Sequence, residues 1–115
     1  MPIQVIQSPT VLNAARDFAR RMATAWPLQS AMLFGSQARG NANAGSDTDV
    51  AVLLQGQSGD FVATKLALDD VAYDVLLDSG IRIQPLPIWE GAWAHPQHYS
   101  NPRFLKNIAR EGFTL

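Results

Sequence analysis

Two short apolar runs, Ala31 to Phe34 and Asp49 to Leu54, frame the segment "LFGSQARGNANAGSDTDVAVLL". The first run stops at a Gly-Ser pair. The second opens on two aspartates one residue apart, Asp47 and Asp49. Short apolar runs bounded by glycine and small polar residues read as buried strands. The join between them, residues 36–46, reads as a loop with room for one helical turn at its start. A chain that places two carboxylates where a buried strand begins must keep that strand end near solvent or near a cation.

The rest of the chain supplies helices around these strands. Ser8-Pro9-Thr10 is a helix start, with a hydroxyl cap and a proline suited to the first turn. Val11, Ala15, Phe18, Met22 and Trp26 follow at helical spacing, and Pro27 ends the run. Residues 60–79 read as a second helix, with Gly80 as its stop. Ile81 to Ile88 reads as a third strand. Pro85 and Pro87 lack amide hydrogens, which places it at a sheet edge. A loop with three aromatics follows, and Asn101-Pro102 starts a last short helix closed by Gly112. The order helix, strand, strand, helix, strand, helix predicts an α+β fold, a small mixed β-sheet with helices packed on one side.

The 115 residues suit one domain, 1–115. At 47% hydrophobic and 17% charged, the chain can bury a core. With no cysteine there is no disulfide or thiolate metal site, which fits a cytoplasmic setting. The N-terminus has neither a basic leader nor a long apolar core, and no stretch reads as a membrane span. The net charge is -1, and Arg20-Arg21 is the only adjacent basic pair, so no direct nucleic-acid binding is expected.

In a strand, residues i and i+2 share a face, so Asp47 and Asp49 project together. Like charges this close repel unless a cation lies between them. Oxygen-only ligands suit Mg²⁺ or Mn²⁺, and Mg²⁺ completes its shell with water and substrate phosphates. Gly35 lets backbone approach a ligand. Ser36 adds a hydroxyl beside amide hydrogens that can hold phosphate, and Arg39 adds a fork of donors. The loop is not a Walker A sequence.

An apolar strand, Gly35-Ser36, ten intervening residues, then Asp47-Thr48-Asp49 and another apolar strand resemble the nucleotidyltransferase signature of the polymerase-beta-like superfamily. "GSQARG" and "SDTDVAVLL" are most similar to the small MNT branch, the minimal nucleotidyltransferases. The resemblance implies the minimal nucleotidyltransferase fold, with Gly35 and Ser36 on the nucleotide's phosphates and Asp47 and Asp49 as catalytic metal ligands. It implies transfer of a nucleoside monophosphate, AMP from ATP, onto a hydroxyl with loss of pyrophosphate. It also implies a HEPN-domain partner: MNT proteins act as antitoxins by placing AMP on a tyrosine of a HEPN toxin.

One position departs from the family pattern. Members carry a third carboxylate on the third strand, where this chain reads "IRIQPLPIWE" and offers Arg82 or Gln84. Glu90 follows the strand and is the acid with a route back. A second reading therefore stays open, in which a catalytically weak module neutralises its partner by contact alone. Other residues read more plainly. His95 and His98 are surface loop histidines, Trp89 and Trp93 pack the core or form a lid, and Lys65 is a weak nucleotide contact. An exposed strand edge or the Trp-rich loop offers surface for self-association. Antibiotic adenylylation and template-directed polymerisation would call for further domains.

Overall fold

A computed structural model describes residues 9–35, 38 and 47–115. Helix α1 spans Pro9–Ala25 and buries Val11, Ala15, Phe18 and Met22 of the expected stripe together with Ala14, while Trp26 lies just past its end and is partly buried. Strand β1 covers Leu28–Phe34 and β2 covers Thr48–Leu54. Helix α2, Phe61–Ser79, begins where the Asp60 side chain accepts from the Ala63 amide. It ends at Gly80, whose φ of 75° is the left-handed cap that glycine adopts without strain. Strand β3 is Ile83–Trp89. The aromatic segment expected as loop instead forms helix α3, Glu90–Ala94, and a 3₁₀ turn, Pro96–His98. Helix α4, Pro102–Glu111, is capped by Asn101, which accepts from the Phe104 amide. A two-residue strand, β4 (Phe113–Thr114), was not anticipated; it adds to the sheet beside β1.

The sheet order is β3-β2-β1-β4. β1 runs antiparallel to β2 and β4, and β2 runs parallel to β3. β3 is an edge strand, as its two prolines require. The mixed α+β fold is the one expected, but its helices lie on both faces of the sheet and not on one side. β2 lies at its centre, and from Val50 to Leu54 no residue is more than 3% exposed. An unbroken apolar run of this kind needs cover on both faces.

The two long helices cover one face. There Phe18, Met22, Leu33, Val50, Val52, Leu54, Leu68 and Val75 form the larger core. Arg21 ties these helices together by bonding both Asp78 on α2 and Asp17 on α1. The hydrogen bonds to Asp78 and then Asp17 raise the guanidinium's pKa further. The short α4 covers the opposite face, where Leu105 and Ile108 meet Ala51, Leu53 and Ile88. Trp89 packs on the first cluster and Trp93 on the second, in the packing role expected of them. Among the described residues no helix is long and apolar enough to cross a membrane.

Candidate active site at the head of the central strand

Strand polarity brings three chain segments together. β2 and β3 are parallel and start at the same end of the sheet. β1 is antiparallel and finishes there. In register, Phe34 faces Asp49 from one side and Gln84 faces it from the other. The ladder continues one step outward, where the Thr48 amide donates to the Arg82 carbonyl at 3.0 Å. Asp47 and Asp49 therefore sit at the head of the central strand, on the pleat face opposite Thr48.

Gly35 closes the β1 side. Its φ is +73°, and a Cβ added there would lie 2.6 Å from Asp49 Oδ2. Only a residue without a side chain lets the chain turn this tightly against the carboxylate. The resulting cradle, with two carboxylates on one face and open backbone beside them, fits a hard divalent cation that takes its remaining ligands from water and phosphate. Ala38 is helical and buried, in keeping with a helical turn at the start of the loop. Ser36 and Arg39, the other expected phosphate contacts, lie outside the described residues.

The β3 side carries a cation instead of a third acid. Arg82 Nε lies 3.9 Å from Asp47 Oδ1, with the two side chains 65% and 50% exposed. A pair this open is well solvated and weak. The position opposite Asp49 holds the exposed Gln84. No cluster of three or more His, Cys, Asp or Glu able to hold a metal occurs among the described residues. Glu90 does not supply one. It follows β3 at the far end of the sheet, about 20 Å along the strand from Gln84 at 3.3 Å per residue.

The surroundings include groups the sequence does not single out. Phe34, the cross-strand partner of Asp49, makes an edge-to-face contact with Phe104, with ring centroids 5.8 Å apart at 77°. The first turn of α4 thereby walls the aspartate face. Only its aromatic residue near the cap hinted at this. On the β3 side, a groove of about 410 Å³ runs between α2 and the sheet edge, lined by Asp69, Tyr73, Leu76, Arg82 and Gln84 among others. Lys65 is held by Asp69 one turn along α2. His95 is exposed and follows α3, away from the aspartates. The His98 side chain lies outside the described residues.

The sequence profile of the nucleotidyltransferase domain matches residues 15–90, which take in most of α1, all three long strands and α2. The fold is similar to the crystal structure of a protein from Sulfolobus solfataricus provisionally named a nucleotidyltransferase. The TM-score is 0.56 at 16% identity, over 96% of this chain and 90% of that one. That likeness shows a shared fold. No curated protein matches the chain significantly. The profile match spans well over half of the sequence and contains both aspartates and Gly35, so the chain belongs to the nucleotidyltransferase domain family.

Proposed function

We propose that this nucleotidyltransferase moves AMP from ATP onto a hydroxyl, the tyrosine hydroxyl of a HEPN-domain partner, and so acts as the antitoxin of a HEPN/MNT pair. The observation that carries the catalytic part is the carboxylate pair at the head of β2, with Gly35 so close that no side chain fits between it and Asp49. The partner and acceptor rest on the resemblance of "GSQARG" and "SDTDVAVLL" to the MNT branch.

In this reading Asp47 and Asp49 hold Mg²⁺ or Mn²⁺. The bound cation supplies charge neutralisation on the phosphates and a lower pKa for the attacking hydroxyl. Gly35 and Ser36 bind the triphosphate from the β1 side, with Arg39. The acceptor oxygen attacks the α-phosphorus, and a new P–O bond forms as the bond to the β-phosphate bridging oxygen breaks. Pyrophosphate leaves, and the hydroxyl proton passes to solvent. In-line displacement puts the acceptor opposite the leaving group, on the β3 side where Arg82 and Gln84 lie.

A second reading has its own observation. Arg82 and Gln84 stand where a third acid would complete the site, and the described residues contain no three-acid cluster. A weak or inactive module that neutralises its partner by contact alone fits that arrangement. Intact-mass spectrometry of the HEPN partner after incubation with the protein, ATP and Mg²⁺ separates the two. A gain of one AMP, absent with Asp47→Asn/Asp49→Asn, is the outcome of the enzyme. An unmodified partner in a stable complex is the outcome of the contact module.

A further inference from the structure

Helix α2 is apolar on both sides. Its inner residues Thr64, Leu68, Ala72 and Val75 are buried against the sheet and α1. Its outer residues Val62, Leu66, Tyr73 and Leu77 are 67%, 61%, 59% and 66% exposed. At 100° per residue these four fall within an arc of about 60°, centred roughly 155° from the inner set. A single exposed leucine needs no explanation, but four large apolar residues in one line along a helix mark an interaction surface.

The charges around the line say what covers it. Asp70 and Asp74 border one edge and Asp69 the other, with Lys65 already bonded to Asp69. The spacing is symmetric about the midpoint of Asp69 and Asp70: Val62 mirrors Leu77 and Leu66 mirrors Tyr73. A second copy packed antiparallel across a two-fold axis would match apolar to apolar. It would also bring Asp69 and Asp70 of both copies to that axis, where like charges oppose association. The acidic border likewise disfavours an anionic lipid surface. A helix with its own apolar line flanked by Lys and Arg meets both requirements, because its cations pair with the same aspartates that repel a second copy.

One residue of the surface reaches toward the β3 side of the candidate active site. Tyr73 belongs to the outer line and also lines the groove that ends at Arg82 and Gln84. We infer that the outer face of α2 docks a protein partner through an apolar helix with basic flanks, and that the groove leads the partner's acceptor hydroxyl from Tyr73 to the aspartates. The second half of this inference rests on the nucleotidyl-transfer reading above; the docking does not.

The test places a photoreactive benzophenone amino acid at Leu66 or at Leu77, and at Arg110 on α4 as an off-face control, in the full chain expressed in its native cells. The expected result is crosslinking from positions 66 and 77, but not 110, to one other protein through a segment with Lys or Arg flanking an apolar helix. Asp70→Lys/Asp74→Lys should cut that yield about tenfold or more, the size of effect that reversing rim charges has on steered association. Leu66→Glu should do the same with an unchanged melting temperature, since the side chain is exposed. Crosslinking to a second copy, to lipid or to nothing overturns the docking surface. So does a yield that ignores the charge reversal. Nucleotide on the captured protein is scored separately. Its absence with charge-sensitive crosslinking intact leaves the docking standing and counts against nucleotidyl transfer. Transfer undiminished in Leu66→Glu and in Asp70→Lys/Asp74→Lys counts against the docking alone.

Discussion

The two ends of β2 differ sharply in burial and charge. From Val50 to Leu54 every residue is buried, alternate residues entering the core on opposite sides of the sheet. Asp47 and Asp49, at the other end, are at least partly open to solvent, beside a glycine in the left-handed region and an exposed arginine. The apolar end is built for stability and the polar end for charge. Continuity of one strand lets the first hold the second in place, because a site on a rigid strand keeps its geometry better than one on a loop. Substitutions at the two ends should therefore separate stability from binding.

The largest effect belongs to the buried end. Leu54→Ala empties a fully packed position and should destabilise the fold by about 2–5 kcal/mol in a denaturant titration. Next is Gly35→Ala, which combines a strained φ with a Cβ 2.6 Å from the Asp49 carboxylate. It should cost about 1–2 kcal/mol for the left-handed backbone alone, and displace Asp49 enough to weaken Mg²⁺-dependent nucleotide binding. If calorimetry gave wild-type affinity, Gly35 would not be shaping the cradle.

Thr48 sharpens the contrast from between the two aspartates. Its side chain points into the core, and Oγ1 is buried without a hydrogen-bond partner among the described residues. Thr48→Val should raise stability by about 1 kcal/mol, read as a higher melting temperature, and leave nucleotide binding unchanged. The smallest effect is at Arg82. Removing a weak competitor for Asp47 with Arg82→Ala should tighten Mn²⁺ binding by up to about fivefold, the upper worth of an exposed ion pair. Weaker Mn²⁺ binding in that variant would make Arg82 a contributor to the site and not a competitor.

Much of this contrast is legible in the sequence because local rules govern it. Caps at Asn101 and Gly80, the stop at Pro27 and the edge prolines of β3 all act through nearest neighbours. The aspartates are legible because i and i+2 must share a strand face. Other features depend on tertiary placement. β4 is only two residues long and exists because α4 delivers the chain to the free edge of β1. Leu28 to Ser30 joins β1 through an irregular register that no periodicity reveals. The run "VAVLL" does carry a signal for cover on both faces, since a one-sided sheet would alternate. Glu90 looks close in sequence to the third strand's chemistry, but the direction of that strand sends it to the wrong end. The pairing of Arg82 with Asp47 becomes visible only once the parallel register of β2 and β3 is fixed.

Asp47 and Asp49 are proposed to hold a divalent cation for a nucleotide. Isothermal titration of ATP with Mg²⁺ into the wild-type protein and into Asp47→Asn/Asp49→Asn tests it most directly, with melting curves run alongside. Mg²⁺-dependent binding is expected for the wild type, with a loss of about a hundredfold or more in the variant, equivalent to the several kcal/mol a bound metal supplies, at an unchanged melting temperature. Equal affinity in the two proteins, or binding indifferent to Mg²⁺, would contradict it.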